Sequence, residues 1–153
     1  MVGREHERRI LVEALAAATE SRSILVDVAG PQGIGKTSLL QWCEVEATAR
    51  GYTCLTVSGF RQESNQPNGA LTRLLSTTLT DESLDDLIDP YDAAILKSVL
   101  PGIRDPANDV DEPVTQIESL RALHAVLTVI GELGNGLVIL VDNIEFVDEM
   151  TLA

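Results

Sequence analysis

The chain has 153 residues, of which 44% are hydrophobic and 23% are charged, so its composition is that of one folded domain rather than of a disordered chain. Its formal net charge of −13 excludes the broad basic surface that nonspecific binding to nucleic acid or to an anionic membrane requires. No run of 18 apolar residues and no charged-then-apolar leader occurs in the sequence, so we expect a cytoplasmic domain that does not interact with membranes.

The first third of the chain alternates helical and strand-like patterns. Apolar residues at helical spacing predict a helix over 4–19, and an apolar run predicts a strand over 24–29. A second helix is predicted over 37–50, where Gly51 provides the stop signal, and a second strand over 53–58. This order of elements is typical of an α/β fold with a mostly parallel sheet.

A glycine-rich motif joins the strand predicted over 24–29 to the helix that follows. Residues 30–37 have the sequence GPQGIGKT, which matches the GxxxxGK[ST] pattern of a phosphate-binding P-loop in its strand–loop–helix context. Its glycines allow backbone N–H groups to converge on a phosphate at the positive end of a helix. Lys36 supplies a cation for the β- and γ-phosphates, and the Thr37 hydroxyl is a ligand for Mg²⁺. The predicted phosphate-binding residues are Gly30, Pro31, Gln32, Gly33, Ile34, Gly35, Lys36, Thr37 and Ser38.

Between residues 59 and 113 the pattern is less regular. Short helices are predicted over 69–79 and 90–99, and the acidic stretch between them is predicted to be a solvated surface. Prolines at 101, 106 and 113 interrupt the segment that follows. We expect this part of the chain to form a helical insertion over the nucleotide side or over the edge of the sheet.

The last third returns to a helix followed by a strand. Thr115 and Glu118 form a capping box that opens a helix to about residue 133. The run GLVILVD over 136–142 is apolar until its last residue, which predicts a strand buried on both faces of a parallel sheet. Asp142 ends that strand, where ligands of open α/β sheets bind. After a P-loop, this pattern indicates a Walker B element in which Asp142 holds Mg²⁺ opposite Thr37.

The residue after Asp142 bears on hydrolysis. ATPases of this type often carry a second acid there to polarise the attacking water, whereas this chain has Asn143, which can position water but cannot accept its proton. Glu145 is a candidate substitute. Lys36, Asn143 and Glu145 are therefore the candidate catalytic residues, and the sequence predicts nucleotide binding while it leaves hydrolysis open.

Three motifs together resemble the AAA-like STAND ATPase modules. Val2-Gly3-Arg4-Glu5 is similar to the hhGRE motif that begins these modules, and the P-loop follows it. Residues 141–148, VDNIEFVD, are similar to the VDDxHWAD signature of large ATP-binding regulators of the LuxR family, with Asn, Glu, Phe and Val in place of Asp, His, Trp and Ala. The resemblance implies ATP or ADP as ligand, Mg²⁺ as its metal, and Val2, Gly3 and Arg4 as residues that pack against adenine.

The same resemblance implies a P-loop NTPase fold, a three-layer αβα sandwich around a mostly parallel sheet. Residues 1–153 would be one incomplete domain that ends after the Walker B strand, with sections 1–20, 24–58, 59–113 and 115–153. In the family a later strand lies between the P-loop strand and the Walker B strand. We therefore expect unpaired strand edges, and association with further domains of the polypeptide or with other copies of it.

Three functions are compatible with these motifs. The leading hypothesis is an ATP/ADP-binding regulatory switch from a transcriptional regulator, in which another part of the protein binds DNA. A small phosphotransferase or metabolic ATPase would need a lid bearing arginines, whereas residues 59–113 contain few cations among many acids. The third hypothesis is a degenerate interaction module that retains the loop for structural reasons, which Asn143 favours.

Overall fold

A computed structural model describes residues 3–18, 23–60, 69–76, 81–99 and 115–147. Val2, residues 61–68, residues 100–114 and the residues from Asp148 onward lie outside these ranges, and so do the predictions made for them.

The described elements are six α-helices, two strands and a short 3-10 turn. In chain order they are α1 (Glu5–Ala17), α2 (Lys36–Ala49), β1 (Thr53–Ser58), α3 (Gly69–Ser76), α4 (Asp81–Leu87), α5 (Pro90–Val99), α6 (Gln116–Glu132), β2 (Leu137–Asp142) and the 3-10 turn (Ile144–Phe146). Within the described ranges, the helices predicted from periodicity form close to their predicted bounds, except that the end of the helix predicted over 69–79 lies outside these ranges. Helix α4 is an additional helix in the acidic stretch. Within the described ranges, no helix combines the length and the apolar character that crossing a bilayer requires.

The two strands lie side by side and run parallel. Thr53 is opposite Leu137, and Ser58 is opposite Asp142. Parallel neighbours need a crossover connection, and helices α3 to α6 lie between the two strands in the chain. Because both strands end at the same edge of the sheet, Asp142 emerges at the carboxyl edge beside the end of β1.

The strand predicted over 24–29 does not form. Residues 23–31 have no regular secondary structure, and the sheet of the described chain consists of β1 and β2. Part of the apolar run is nevertheless buried, because Val26 and Val28 pack against the core while Leu25 is 96% exposed. A strand is defined by ladder hydrogen bonds to a neighbour, and in the described ranges β1 and β2 pair with each other and not with this segment. The prediction of a strand over 24–29 is therefore wrong.

Helices cover both faces of the two-stranded sheet. On one face, Leu11 of α1 and Leu39 and Cys43 of α2 form a buried cluster with Leu140 of β2. On the other face, Leu55 and Val57 of β1 face helices α3 to α6. The buried residues contributed by these helices and by the bend between α4 and α5 are Ala70, Leu74, Leu75, Leu84, Ile88, Ala93, Ile95, Leu96, Ala122, Val126 and Ile130. This three-layer αβα arrangement is the predicted fold class.

Helices α3 to α5 lie in the section 59–113, for which the sequence predicts a helical insertion over the nucleotide side or over the edge of the sheet. The described residues of these helices share one hydrophobic core with β1 and α6. Fully burying each large aliphatic side chain contributes about 1.5–3 kcal/mol, so these helices are an integral layer of the fold.

The capping box predicted at the start of α6 is confirmed. The Glu118 N–H donates to Thr115 Oγ1 at 3.3 Å, and the Thr115 N–H donates to Glu118 Oε2 at 2.9 Å. Hydrogen bonds from the Thr115 hydroxyl and backbone, with a third from Tyr91, lower the pKa of Glu118 to about 2. The carboxylate is therefore charged at neutral pH, and a negative charge in the first turn is favourable for a helix.

Candidate functional site

The glycine-rich loop leads from the segment 23–29 into the first turn of α2. The Ile34 N–H donates to the Pro31 carbonyl at 3.4 Å, which closes a turn within the loop. Gly35 then occupies the N-cap position of α2 with φ of 95°, a left-handed conformation that favours glycine. The N–H groups of a first helical turn have no intrahelical acceptors, so this geometry presents donors suited to an anion.

The Lys36 side chain curls back over the loop that precedes it. Its ammonium group donates to the carbonyl of Gly30 at 2.8 Å and to that of Pro31 at 3.3 Å. The ammonium group is thus held against the backbone of the loop that is predicted to bind phosphate. Neutral carbonyl acceptors form weaker hydrogen bonds with an ammonium group than phosphate oxygens do, so a phosphate can replace them.

The two predicted Mg²⁺ ligands are in direct contact although they are 105 positions apart in the chain. The Thr37 hydroxyl donates to Asp142 Oδ2 at 2.8 Å. Packing explains the meeting, because Leu39 of α2 and Leu140 of β2, each two residues away, share one buried cluster. Mg²⁺ commonly takes one or two protein oxygens and completes its shell with phosphate and water oxygens. A hydroxyl and a carboxylate at this point fit that donor set.

A cleft of about 730 Å³ opens between the loop and the carboxyl end of β2. This volume lies within the range of about 300–1,000 Å³ that is usual for small-molecule sites. The residues that line it are Gly30, Gln32, Gly33, Gly35, Lys36, Thr37, Asp142, Asn143, Glu145 and Phe146. The structure therefore brings nine of the predicted site residues to one cavity, with glycine backbone, a cation and carboxylates on its walls.

This geometry agrees with a comparison against known protein families. A model of the AAA ATPase domain matches residues 1–153. The chain belongs to the AAA ATPase domain family. It is accordingly a nucleotide-binding, ATPase-like module with an α/β fold of the P-loop NTPase kind, for which Mg²⁺ is the typical metal. No curated protein and no solved structure matched the sequence.

Beyond Asp142, the AAA ATPase domain turns sharply. Asn143 has φ of 53° and ψ of 47°, a left-handed conformation that asparagine tolerates better than most residues. Its N–H donates to Asp142 Oδ1 at 3.0 Å, and its carbonyl accepts from the Phe146 N–H at 2.9 Å. Both carboxylate oxygens of Asp142 are thus fixed, one by Thr37 and one by the turn. Asn143 and Glu145 are both exposed, and both line the cleft.

Sequence reasoning missed two residues in or next to the candidate site, Phe146 and Gly59. Phe146 lines the cleft, although the sequence indicates it only as an aromatic position of the regulator signature. Gly59 follows β1 and donates its N–H to the Asp142 carbonyl at 2.9 Å. A Cβ on Gly59 would lie 2.4 Å from the Asn143 carbonyl oxygen and 2.7 Å from the Phe146 carbonyl carbon. The local sequence around Gly59 carries no signal of this approach, because the contacting residues are more than 80 positions away.

Several predicted contact residues lie next to the cleft rather than in its wall. Pro31 and Ile34 contribute their carbonyl oxygens to Lys36 and to Arg4, respectively. Ser38 is exposed on α2, and Gly3 is exposed with φ of 87°. Arg4 is turned toward the loop backbone. The packing of Gly3 and Arg4 against adenine remains a prediction, as does that of Val2, which lies outside the described residues.

Proposed function

We propose that this AAA ATPase domain binds ATP or ADP with Mg²⁺ and acts as a regulatory switch of the STAND type within a transcriptional regulator that resembles the LuxR family. Its hydrolysis is slow, so each bound nucleotide persists and defines a state. The similarity of residues 2–5 and 141–148 to the motifs of such regulators supports the regulatory part of the proposal.

The observation that carries the binding proposal is the 2.8 Å contact between the Thr37 hydroxyl and Asp142. It joins the end of the P-loop to the end of β2 and brings the two predicted metal ligands together. Thr37 and Asp142 would hold Mg²⁺, which supplies positive charge to the phosphate oxygens when it is bound. Lys36 would exchange its carbonyl acceptors for the β- and γ-phosphates, and the loop N–H groups would bind the remaining phosphate oxygens.

The chemistry of the turn after Asp142 supports slow hydrolysis. Asn143 can orient a water molecule through its amide but has no basic site for the proton. Glu145 is the remaining carboxylate on this wall of the cleft, and it is exposed to solvent. General-base catalysis contributes typically about 10²–10⁴ to a rate, so a site without a well-held base should turn over slowly.

Binding is tested by calorimetric titration of MgATP into the parent protein and two variants. Lys36→Ala should weaken binding by at least about tenfold, because it removes charge-assisted hydrogen bonds to phosphate. Asp142→Asn should weaken binding with Mg²⁺ present and leave it unchanged in excess chelator. Arg9→Ala is the matched control, since it removes one cation from an exposed position of α1. A Lys36→Ala variant that binds MgATP as tightly as the parent protein does would refute the proposal.

Hydrolysis is tested by multiple-turnover phosphate release. Asn143→Asp restores an acid at a backbone conformation that aspartate also tolerates. It should raise the turnover number by about 10² or more, whereas Glu145→Gln should lower the residual rate of the parent. Equal turnover of the parent and Asn143→Asp would show that Asn143 is not what limits hydrolysis.

We further propose that the switch acts in the cytoplasm, through association with other domains or other copies of the protein, and does not itself bind nucleic acid. The net charge of −13 opposes contact with a polyanion. Sedimentation at several protein concentrations, with ATP and with ADP, tests this. A sedimentation coefficient that is independent of nucleotide and concentration in the complete protein would contradict the switch by association.

A further inference from the structure

The Arg4 guanidinium lies between α1 and the P-loop and contacts both. Its Nη1 atom pairs with Glu7 Oε1 at 2.9 Å, and its Nη2 atom donates to the Ile34 carbonyl. The side chain is only 20% exposed, and Arg4 is not among the residues that line the cleft. Its donors are therefore directed at the backbone of the loop from outside the cleft.

The orientation of the Ile34 carbonyl determines where the next N–H points. In a trans peptide the C=O and N–H bonds point in opposite directions, and the described chain has no cis peptide bond. When Arg4 draws the Ile34 oxygen outward, the Gly35 N–H is directed to the opposite side of the loop. Gly35 lines the cleft, so this N–H is one of the donors available to a phosphate.

This peptide needs an external restraint because glycines flank Ile34. Gly33 and Gly35 have φ of 80° and 95°, and glycine adopts positive and negative φ about equally readily. Rotation of the peptide between Ile34 and Gly35 would turn the carbonyl oxygen toward the cleft. An inward carbonyl would repel a phosphate and remove one N–H donor from it.

Helix α1 is a rigid support for the arginine. Leu11 of α1 is buried against α2, and the Tyr52 hydroxyl donates to the Leu15 carbonyl at 2.8 Å. Nearer to Arg4, the Arg8 guanidinium lies 4.8 Å from the centre of the Trp42 ring of α2. The pKa of Glu7 is lowered by a hydrogen bond from the backbone N–H of Glu7 itself, and Arg4 lowers it further. The carboxylate that pairs with Arg4 therefore stays ionised.

We propose that Arg4 is a positioning residue that holds the P-loop in its anion-binding conformation through the Ile34 carbonyl, and that it acts on the phosphates rather than on the base. The inference rests on the proposed nucleotide binding, which it deepens. It differs from the adenine contact that the sequence resemblance implies for Arg4. The two roles predict different responses to a ligand that has phosphates and no base.

The experiment measures the affinity of the protein for MgATP and for magnesium tripolyphosphate by calorimetry. Arg4→Met and Arg4→Lys both retain an aliphatic stem, but only the lysine variant retains a charged donor. Arg9→Met is the control for net charge. Intrinsic fluorescence of Trp42, the single tryptophan, together with the denaturation midpoint, reports whether α1 stays docked in each variant.

We expect Arg4→Met to weaken both ligands by the same factor of about tenfold, the usual effect of losing one charge-assisted hydrogen bond. Arg4→Lys should restore affinity for both to within about threefold, since an ammonium group can still donate to the carbonyl. Arg9→Met should change neither. Rescue by lysine separates this role from simple packing, which methionine preserves equally well.

Other results overturn the inference. A loss for MgATP with tripolyphosphate unchanged would make Arg4 a base contact and leave the proposed nucleotide binding intact. If Arg4→Met has the parent's affinity for both ligands, or if Arg9→Met loses as much affinity as Arg4→Met, Arg4 has no role in phosphate binding. Failure of the parent protein to bind either ligand would refute the proposed function itself, and the inference with it.

Discussion

Gly59 gives the sharpest test of how the sheet supports the nucleotide site. Its φ lies outside the left-handed region that favours glycine, so the main cost expected for Gly59→Ala is the contact made by the new Cβ. The new Cβ would lie 2.4 Å from the Asn143 carbonyl oxygen, 2.7 Å from the Phe146 carbonyl carbon and 2.7 Å from the Val147 nitrogen. All three are backbone atoms, which cannot rotate away as a side chain would.

The size of the effect follows from these distances. Ordinary van der Waals contact begins at 3.4 Å, so the Asn143 oxygen must move by 3.4 minus 2.4, or about 1 Å. Forcing extra atoms into a packed site costs typically about 1–3 kcal/mol of unfolding free energy. Asn143 adjoins Asp142, whose carboxylate bonds Thr37 at 2.8 Å. The same displacement should therefore weaken MgATP binding, by about tenfold if it costs one charge-assisted hydrogen bond.

Urea denaturation and MgATP titration measure the two effects on one preparation. Gly131→Ala is the matched control. Gly131 lies within α6, and a Cβ added there would be at an ordinary contact distance of 3.4 Å from Leu137 Cβ. That control should be neutral or up to about 1 kcal/mol more stable than the parent, given the helix propensity of alanine. If the unfolding free energy of Gly59→Ala lies within about 0.5 kcal/mol of that of the parent, and the variant binds MgATP equally well, the close approach of Gly59 to residues 143–147 does not support the site.

Three further predictions concern the rest of the fold. Thr115→Ala should lower the unfolding free energy by about 1 kcal/mol through loss of the α6 N-cap, as measured by urea denaturation. The pKa of Glu118 is lowered from 4.5 to about 2, so its stabilising contribution is present above pH 4.5 and is lost as the pH falls through about 2. Glu118→Gln should consequently be less stable than the parent at neutral pH and converge with it near pH 2, and parallel stability curves would contradict this. Burial raises the pKa of Cys43, so a thiol reagent should modify the partly exposed Cys54 first, as peptide mass mapping would detect.

The site is predictable from the sequence where its chemistry is local. The P-loop places its glycines, Lys36 and Thr37 within eight consecutive positions. The backbone conformation of each of these residues depends on residues close to it in the chain. The capping box of α6 is also local and forms as predicted. Asp142 is identifiable because an acid at the end of an apolar run, in a chain that carries a P-loop, is typical of a Walker B element. The predicted burial of this strand on both faces is wrong for the described chain, because only Leu140 of β2 is buried and Ile139 is 43% exposed.

What sequence reasoning did not settle depends on partners distant in sequence. The segment 24–29 is an apolar run that predicts a strand, but pairing requires a neighbour that its own residues do not specify. Likewise, periodicity shows that each of the helices α3 to α5 has an apolar face without showing what covers that face, which in the structure is the core shared with β1 and α6.

The sequence by itself determined the glycine-rich loop, most of the helices and the strands β1 and β2, since these follow from short-range patterns of glycine and hydrophobicity, and its family resemblance implied the αβα class. Only the tertiary structure decided that the Thr37 hydroxyl contacts Asp142, that Arg4 donates to the Ile34 carbonyl, and that the backbone of residues 143–147 leaves no room for a Cβ at Gly59. Each of those facts depends on two backbone segments approaching within a few ångströms across at least 30 residues of chain. Such distances are set by the packing of the whole core, which no local stretch of sequence contains.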